Sequence, residues 1–297
     1  MSEALYARSE RIVATFALLA GAVAIAASPL FVKVSETGPV ATGFWRVALA
    51  LPVLWTWSLV GSRGHLDAFV ANRRVMIATG LLFAGDLAVW HWSIVLTSVA
   101  NATLLANLAP IFVTLAVWLW YRRRPSGAFL GGMAVALAGV VALLGGDFRL
   151  SGRELIGDFL GVVTAMFYGG YQLAVARARA RASTASIMAW SGLVTACVLL
   201  PLAFLSGEQL LPATAMGWLK LVGLALISQA AGQSLIAYAM AHLPATFSSV
   251  ALLFQPVVAA LFAWALLGEA LGPVAILGGC AVLAGIAIAH RAEVSRA

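Results

Sequence analysis

From about residue 12 to residue 290 the chain is a succession of apolar segments, each close to the roughly 20 residues that cross a bilayer's hydrocarbon core as a helix. The polar stretches between them are short and rich in arginine. In lipid only helices and closed barrels satisfy their own backbone. These segments do not alternate polar and apolar residues, so they read as helices. Expected spans are 12–34, 40–61, 74–97, 99–121, 127–145, 156–178, 184–206, 215–241, 245–267 and 271–290. Punctuation separates them at Gly38-Pro39, Arg122-Arg123-Arg124-Pro125, Gly145-Gly146-Asp147, Pro212 and Gly272-Pro273. The fold class expected is all-α integral membrane, with ten transmembrane helices.

With 63% hydrophobic and 10% charged residues, almost the whole chain is membrane, and no length is left for a soluble catalytic or nucleotide-binding domain. The net charge of +7 could suggest nucleic acid, but the arginines lie in loops between apolar segments, so they read as topology signals and no nucleic-acid partner is expected. Cys197 and Cys280 sit inside apolar segments without metal or redox spacing. Arg8 and Arg11 precede an apolar run through Ala26-Ala27-Ser28 that resembles a signal peptide. The run continues through Pro29 to Val32, so it is expected to remain as the first helix.

An N-terminus in the cytoplasm puts Arg8, Arg11, Arg63, Arg73, Arg74, Arg122, Arg123, Arg124, Arg177, Arg179, Arg181, Arg291 and Arg296 inside. Only Lys33, Arg149, Arg153 and Lys220 then lie outside. By the positive-inside rule both termini are expected to be cytoplasmic.

The chain also resembles itself. Offset by 146 residues, Pro110 falls on Pro256, Leu115 on Leu261, Trp118 on Trp264, Gly132 on Gly278, and Leu137-Ala138-Gly139 on Leu283-Ala284-Gly285. Matched proline and tryptophan in one register point to duplication. Residues 1–11 then form a cytoplasmic N-terminal segment, 12–146 a first five-helix repeat, 147–290 a second, and 291–297 a cytoplasmic tail. Five is odd, so the copies cross the membrane in opposite directions. Inverted repeats are typical of secondary transporters, whose sites lie near the midplane between repeats and which work by alternating access.

Ser98-Val99-Ala100-Asn101-Ala102-Thr103, then Pro110, then Gly132 to Gly139, resembles the drug/metabolite transporter superfamily and its EamA-type members. So do Ala245-Thr246-Phe247-Ser248-Ser249, Gln255-Pro256, Leu267-Gly268-Glu269, Gly278-Gly279 and Ala284-Gly285. Arg46 matches an arginine that such repeats carry early in their second helix. The first repeat departs from the pattern: Arg122-Arg123-Arg124 stands where Gly268-Glu269 stands in the second. The resemblance implies ten helices and export of small metabolites across the plasma (inner) membrane. The aromatic-rich interior most resembles YddG-type amino-acid exporters, which implies amino-acid, including aromatic, cargo.

Ionisable groups within a membrane span usually face protein or a water-filled cavity. Asp86 lies mid-span in the third segment, with Trp90 one turn on and His91 on an adjacent face. Asp86 has two readings: a cavity carboxylate that meets substrate or a proton, or the structural partner of Arg46 at compatible depth. His91 is either a proton-responsive group or a hydrogen-bonded interior histidine. The sixth span carries Tyr168, Tyr171 and Gln172 on one face, and the eighth carries Gln229 and Gln233, with Tyr238 beyond. Trp90, His91, Tyr168, Tyr171, Gln229 and Gln233 are the substrate-binding candidates; helix–helix adhesion is the competing role of the Gln and Tyr side chains. Ser28, Pro29, Pro110, Gln255 and Pro256 mark helix breaks, read as gating points or as packing shape. Gly127, Gly131, Gly132, Gly139, Gly278, Gly279 and Gly285 make the fifth and tenth spans close-packing surfaces.

No phosphate-binding loop occurs, and His65, His91, His242 and His290 are scattered without metal or catalytic spacing. No cofactor, metal or catalytic residue is expected. The chain is expected to be a monomeric secondary exporter whose partners are a small-molecule substrate and the lipid bilayer. A multidrug or other metabolite permease of the same superfamily is the near alternative; an intramembrane enzyme or a receptor is the distant one.

Overall fold

The computed structural model describes residues 2–61, 65–144, 152–268 and 270–295. The features expected at Arg63, Gly145-Gly146-Asp147, Arg149, Glu269 and Arg296 lie outside the described residues. Among the described residues ten helices are long and apolar enough to cross a membrane: α1 (Ser9–Lys33), α2 (Pro39–Gly61), α3 (Phe69–Leu96), α4 (Asn101–Tyr121), α5 (Gly127–Leu144), α6 (Glu154–Arg179), α7 (Thr184–Leu205), α8 (Ala215–Ala239), α9 (Ala245–Leu266) and α10 (Pro273–Val294). Among the described residues there is no strand.

Local chemistry sets where these helices start. Gly38 and Gly272 precede Pro39 and Pro273 at the first turns of α2 and α10, where proline's missing N–H costs nothing. The hydroxyl of Ser98 accepts from the Asn101 amide, that of Ser183 from Ser186 and that of Thr214 from Gly217, capping the turns that open α4, α7 and α8.

Four of the ten helices break ahead of a proline, and α3 kinks at Asn72, whose φ of −122° and ψ of 15° leave the helical region. α1 breaks at Ala27, just before Ser28-Pro29. α4 breaks at Asn107–Leu108 ahead of Pro110, and α9 at Leu252–Leu253 ahead of Pro256. α2 breaks at Leu49–Ala50 ahead of Pro52, a proline that sequence reading did not single out. Each proline lacks the N–H that would close the preceding turn. Pro201 sits inside α7 without ending it. α8 departs differently: Ala225–Gln233 is a π-helix, a wider turn that brings residues five apart into register.

The left-handed ends of α4 and α9 repeat the 146-residue offset. Gly268 caps α9 with φ +70°, and Arg122 caps α4 with φ +55°. Glycine adopts this conformation freely; an arginine there is strained.

The chain divides into two compact units, Met1–Ala88 with Tyr171–Pro244, and Val89–Gly170 with Ala245–Ala297. In the first, α1 packs on α8 and α2 on α7. Gly21 and Gly232 let α1 and α8 approach: a Cβ at Gly21 would lie 2.8 Å from the Gly232 carbonyl. Ser228 donates to the Ala24 carbonyl across the same contact at 3.0 Å. The loops at one end of this unit exchange caps. Glu36 accepts from the Thr214 hydroxyl and amide, and Glu208 accepts from the Ala41 amide. The Thr214 hydroxyl holds the Glu36 carboxyl below its usual range.

In the second unit α5 crosses α10 and α4 packs on α9. A Cβ at Gly132 would lie 2.8 Å from the Gly285 carbonyl, and one at Gly139 would lie 2.6 Å from that of Gly278. The crossing is therefore antiparallel, and its glycines pair across the offset: Gly132 and Gly278 are counterparts, as are Gly139 and Gly285. This is the self-complementary pattern of a two-fold contact. The other glycines expected there do less. Gly127 and Gly131 have nothing within 4 Å, and Gly279 makes an ordinary contact at 3.7 Å.

Candidate functional site

Polar side chains in a membrane protein matter most where lipid and water are both excluded. In the first unit five residues from four helices close into a ring. Arg46 of α2 is buried, and its Nε donates to Gln229 Oε1 at 3.2 Å. Its guanidinium lies 5.9 Å from the centre of the Phe83 ring on α3, within cation–π range. Phe83 stacks on Tyr171 of α6 at 4.7 Å between centroids. The Tyr171 hydroxyl donates to Gln233 Oε1 at 3.3 Å. Gln229 and Gln233 lie four residues apart on the π-helix of α8, so the series of contacts starts and ends on one helix. All five side chains are buried.

Two of the helices that form the ring carry polar atoms to spare. The Gln229 amide nitrogen has no hydrogen-bond partner among the described residues. The same holds for both amide atoms of Gln172, a side chain only 1% exposed, and for the Ser234 hydroxyl. A buried polar atom left unpaired costs about 1–3 kcal/mol, so such atoms collect where a ligand supplies the missing bonds.

Asp86, half-buried on α3, lies close enough to Arg46 for their charges to act on each other. The hydrogen bond from Arg46 Nε nevertheless goes to Gln229, a partner that sequence reading did not assign.

Apart from Ser28 and Pro29, the remaining candidates fall in the second unit. Gln255 Nε2 donates to the Tyr168 hydroxyl at 3.5 Å, joining α9, just past its break, to α6. Trp90 and His91 of α3 meet edge to face at 5.0 Å, with His91 buried and Trp90 half-buried. Pro110 and Pro256 follow the breaks of α4 and α9, and Ser28 and Pro29 follow that of α1 in the first unit. Thus Arg46 with Gln229, Tyr171 with Gln233, Tyr168 with Gln255 and Trp90 with His91 are each brought together. The second unit also holds a buried acid, Asp158 of α6, which lies near the start of its span and was not among the residues expected to be interior. Among the described residues no group of three or more His, Cys, Asp or Glu is placed to hold a metal ion.

Comparison with known proteins adds ancestry to this geometry. The EamA-like transporter family model matches residues 12–145 and again 155–290. The "Probable terminal-alkyne amino-acid exporter" of Streptantibioticus cattleyicolor is 30% identical over 211 residues, covering 69% of each chain. The "Pseudopaline exporter CntI" of Pseudomonas aeruginosa is 26% identical over 209 residues, covering 70% of this chain and 72% of that one. An uncharacterised transporter of Archaeoglobus fulgidus is 24% identical over 279 residues, 88% of this chain and 91% of that one. A solved crystal structure with 18% sequence identity superposes with a TM-score of 0.81 over 95% of this chain and 96% of its own, a likeness of fold.

Proposed function

The chain belongs to the EamA-like transporter family, and on that premise we propose that it exports amino acids or amino-acid-derived metabolites across the plasma (inner) membrane. The chain is a multi-pass membrane protein of a transporter family with relatives named as exporters. In this reading it works as a secondary transporter by alternating access between two inverted repeats, 12–146 and 147–290, with both termini in the cytoplasm.

The observation that carries the reading is the buried ring of Arg46, Phe83, Tyr171, Gln229 and Gln233, with unspent amide atoms on two of its helices. An amino acid brings a carboxylate, an ammonium and a side chain. A guanidinium offers several donors to a carboxylate. The Gln172 amide oxygen accepts from an ammonium, the amide nitrogens of Gln172 and Gln229 add donors for the carboxylate, and the rings of Phe83 and Tyr171 suit an apolar or aromatic side chain. The names of the two relatives, an amino-acid exporter and a pseudopaline exporter, point to cargo of this kind.

The test is counterflow in proteoliposomes. Vesicles loaded with unlabelled aromatic or aliphatic amino acid should accumulate the labelled form, and Gln233→Ala and Tyr168→Ala should each slow this about tenfold or more at unchanged folded yield. Counterflow of no amino acid by folded protein would overturn the cargo assignment. Wild-type rates in both variants would assign those side chains to helix packing.

A further inference from the structure

In the second unit, the end where α4 stops and α5 starts is both aromatic and strongly basic. We infer that Trp118, Trp120 and Tyr121 with Arg122, Arg123 and Arg124 form a binding surface for the headgroup of an anionic phospholipid. Trp118 is 44% exposed, Trp120 79% and Tyr121 56%. They close the apolar span of α4, which ends at Tyr121. Exposed Trp and Tyr rings at the end of a membrane span lie at headgroup level. The three arginines that follow are exposed too, so they stand close to the depth of the lipid phosphates.

The chain supplies its own control. At the 146-residue offset the same stretch reads Trp264-Ala265-Leu266-Leu267-Gly268-Glu269-Ala270. Both stretches end a helix in the left-handed conformation, with φ +70° at Gly268 and φ +55° at Arg122. The turn itself therefore needs neither a positive charge nor the rings of Trp120 and Tyr121, and glycine makes it with less strain. An arginine held in a strained conformation points to a contact made by its side chain. That contact is not within the unit: among the described residues neither Arg122 nor Arg123 has a side-chain hydrogen-bond or ion-pair partner.

The surroundings add charge of the same sign. Phe129, near the start of α5, shares a core cluster with Ala289 and Ala292 of the antiparallel α10. The exposed Arg291, beside Ala292, is therefore at this end as well. Glu293 is engaged by the Thr246 hydroxyl at 3.2 Å. Guanidinium groups bind phosphate oxygens through paired, charge-assisted hydrogen bonds. An acidic soluble partner would use the arginines alone; a lipid uses the arginines and the rings together.

Native mass spectrometry of the full-length protein tests this, from detergent micelles holding equal amounts of phosphatidylglycerol and phosphatidylcholine. Bound phosphatidylglycerol should prevail. Arg122→Gly, which also relieves the left-handed residue and so should fold, is expected to lower that preference about fivefold, and adding Arg123→Gln to lower it by about as much again. Arg181→Gln, at an exposed arginine between Ala180 and Ala182 in the α6–α7 turn, should leave it unchanged. In bilayers, brominated phosphatidylglycerol should quench tryptophan fluorescence more than brominated phosphatidylcholine, and the excess should shrink in Trp120→Leu. Equal retention of the two lipids, a preference that survives the double substitution, or an excess unchanged in Trp120→Leu overturns the proposal. An equal loss in Arg181→Gln also overturns it, by making the attraction that of any positive charge. Sodium phosphate that abolishes the preference when sodium chloride of equal ionic strength does not would make the occupant free phosphate, which overturns it too. No cargo enters these measurements, so their failure leaves the export reading standing, and failed counterflow leaves the lipid surface standing.

Discussion

Arg46 decides how the polar ring is held. It is a full charge within a membrane span, and its neutral hydrogen-bond partner, Gln229, cannot balance that charge. Asp86 is the carboxylate whose field reaches it. Removing one of two opposite charges inside a membrane span leaves the other uncompensated, while removing both does not. Arg46→Gln and Asp86→Asn are therefore each expected to lower the unfolding midpoint, and the double variant to recover part of the loss. Strictly additive losses would separate the two residues and leave Asp86 to a role in coupling. The sequence showed that Arg46 and Asp86 were at compatible depths and that Gln229 and Gln233 shared a face. Spacing reports which side chains share one helix face and says little about what stands across from it. That is why the Gln229 partner and the Phe83–Tyr171 stack were not legible. Asp158 was not singled out for a related reason: it lies at the second turn of its helix, and only tertiary packing buries it.

Helix ends and crossings follow simple rules here, and most were readable in advance. Segment length gave ten helices because lipid enforces it, and proline foretold the breaks in α1, α4 and α9. Proline alone was not sufficient: Pro201 leaves α7 intact, whereas α2 breaks before Pro52. The π-helix of α8 carries no comparable sequence mark. Two substitutions test the element-level account. Arg122→Gly should stabilise the protein by about 1 kcal/mol, by relieving a left-handed arginine at a helix end. Gly139→Ala should destabilise it by about 1–3 kcal/mol, because the new methyl meets backbone rather than a movable side chain. Thermal unfolding in detergent reads both. A neutral Gly139→Ala would mean that α5 and α10 separate easily.

Across the whole molecule, orientation is the main prediction. In a variant lacking Cys197 and Cys280, both free, cysteines at Lys33 and Gln209 should react with impermeant thiol reagents applied outside intact cells. Cysteines at Arg123 and Arg291 should react only after permeabilisation. The opposite pattern would invert the topology drawn from the arginines. The α5–α10 crossing carries one more consequence. Each glycine there meets the counterpart of its own repeat mate, so the contact asks nothing of the two strands of sequence except that they be alike. It would serve equally well between two separate copies of a single five-helix chain inserted in opposite senses. Joining those copies end to end would then have created no new surface; it would have turned a dimer's concentration-dependent contact into a tethered one, freeing each half to diverge, as Arg122 has from Gly268.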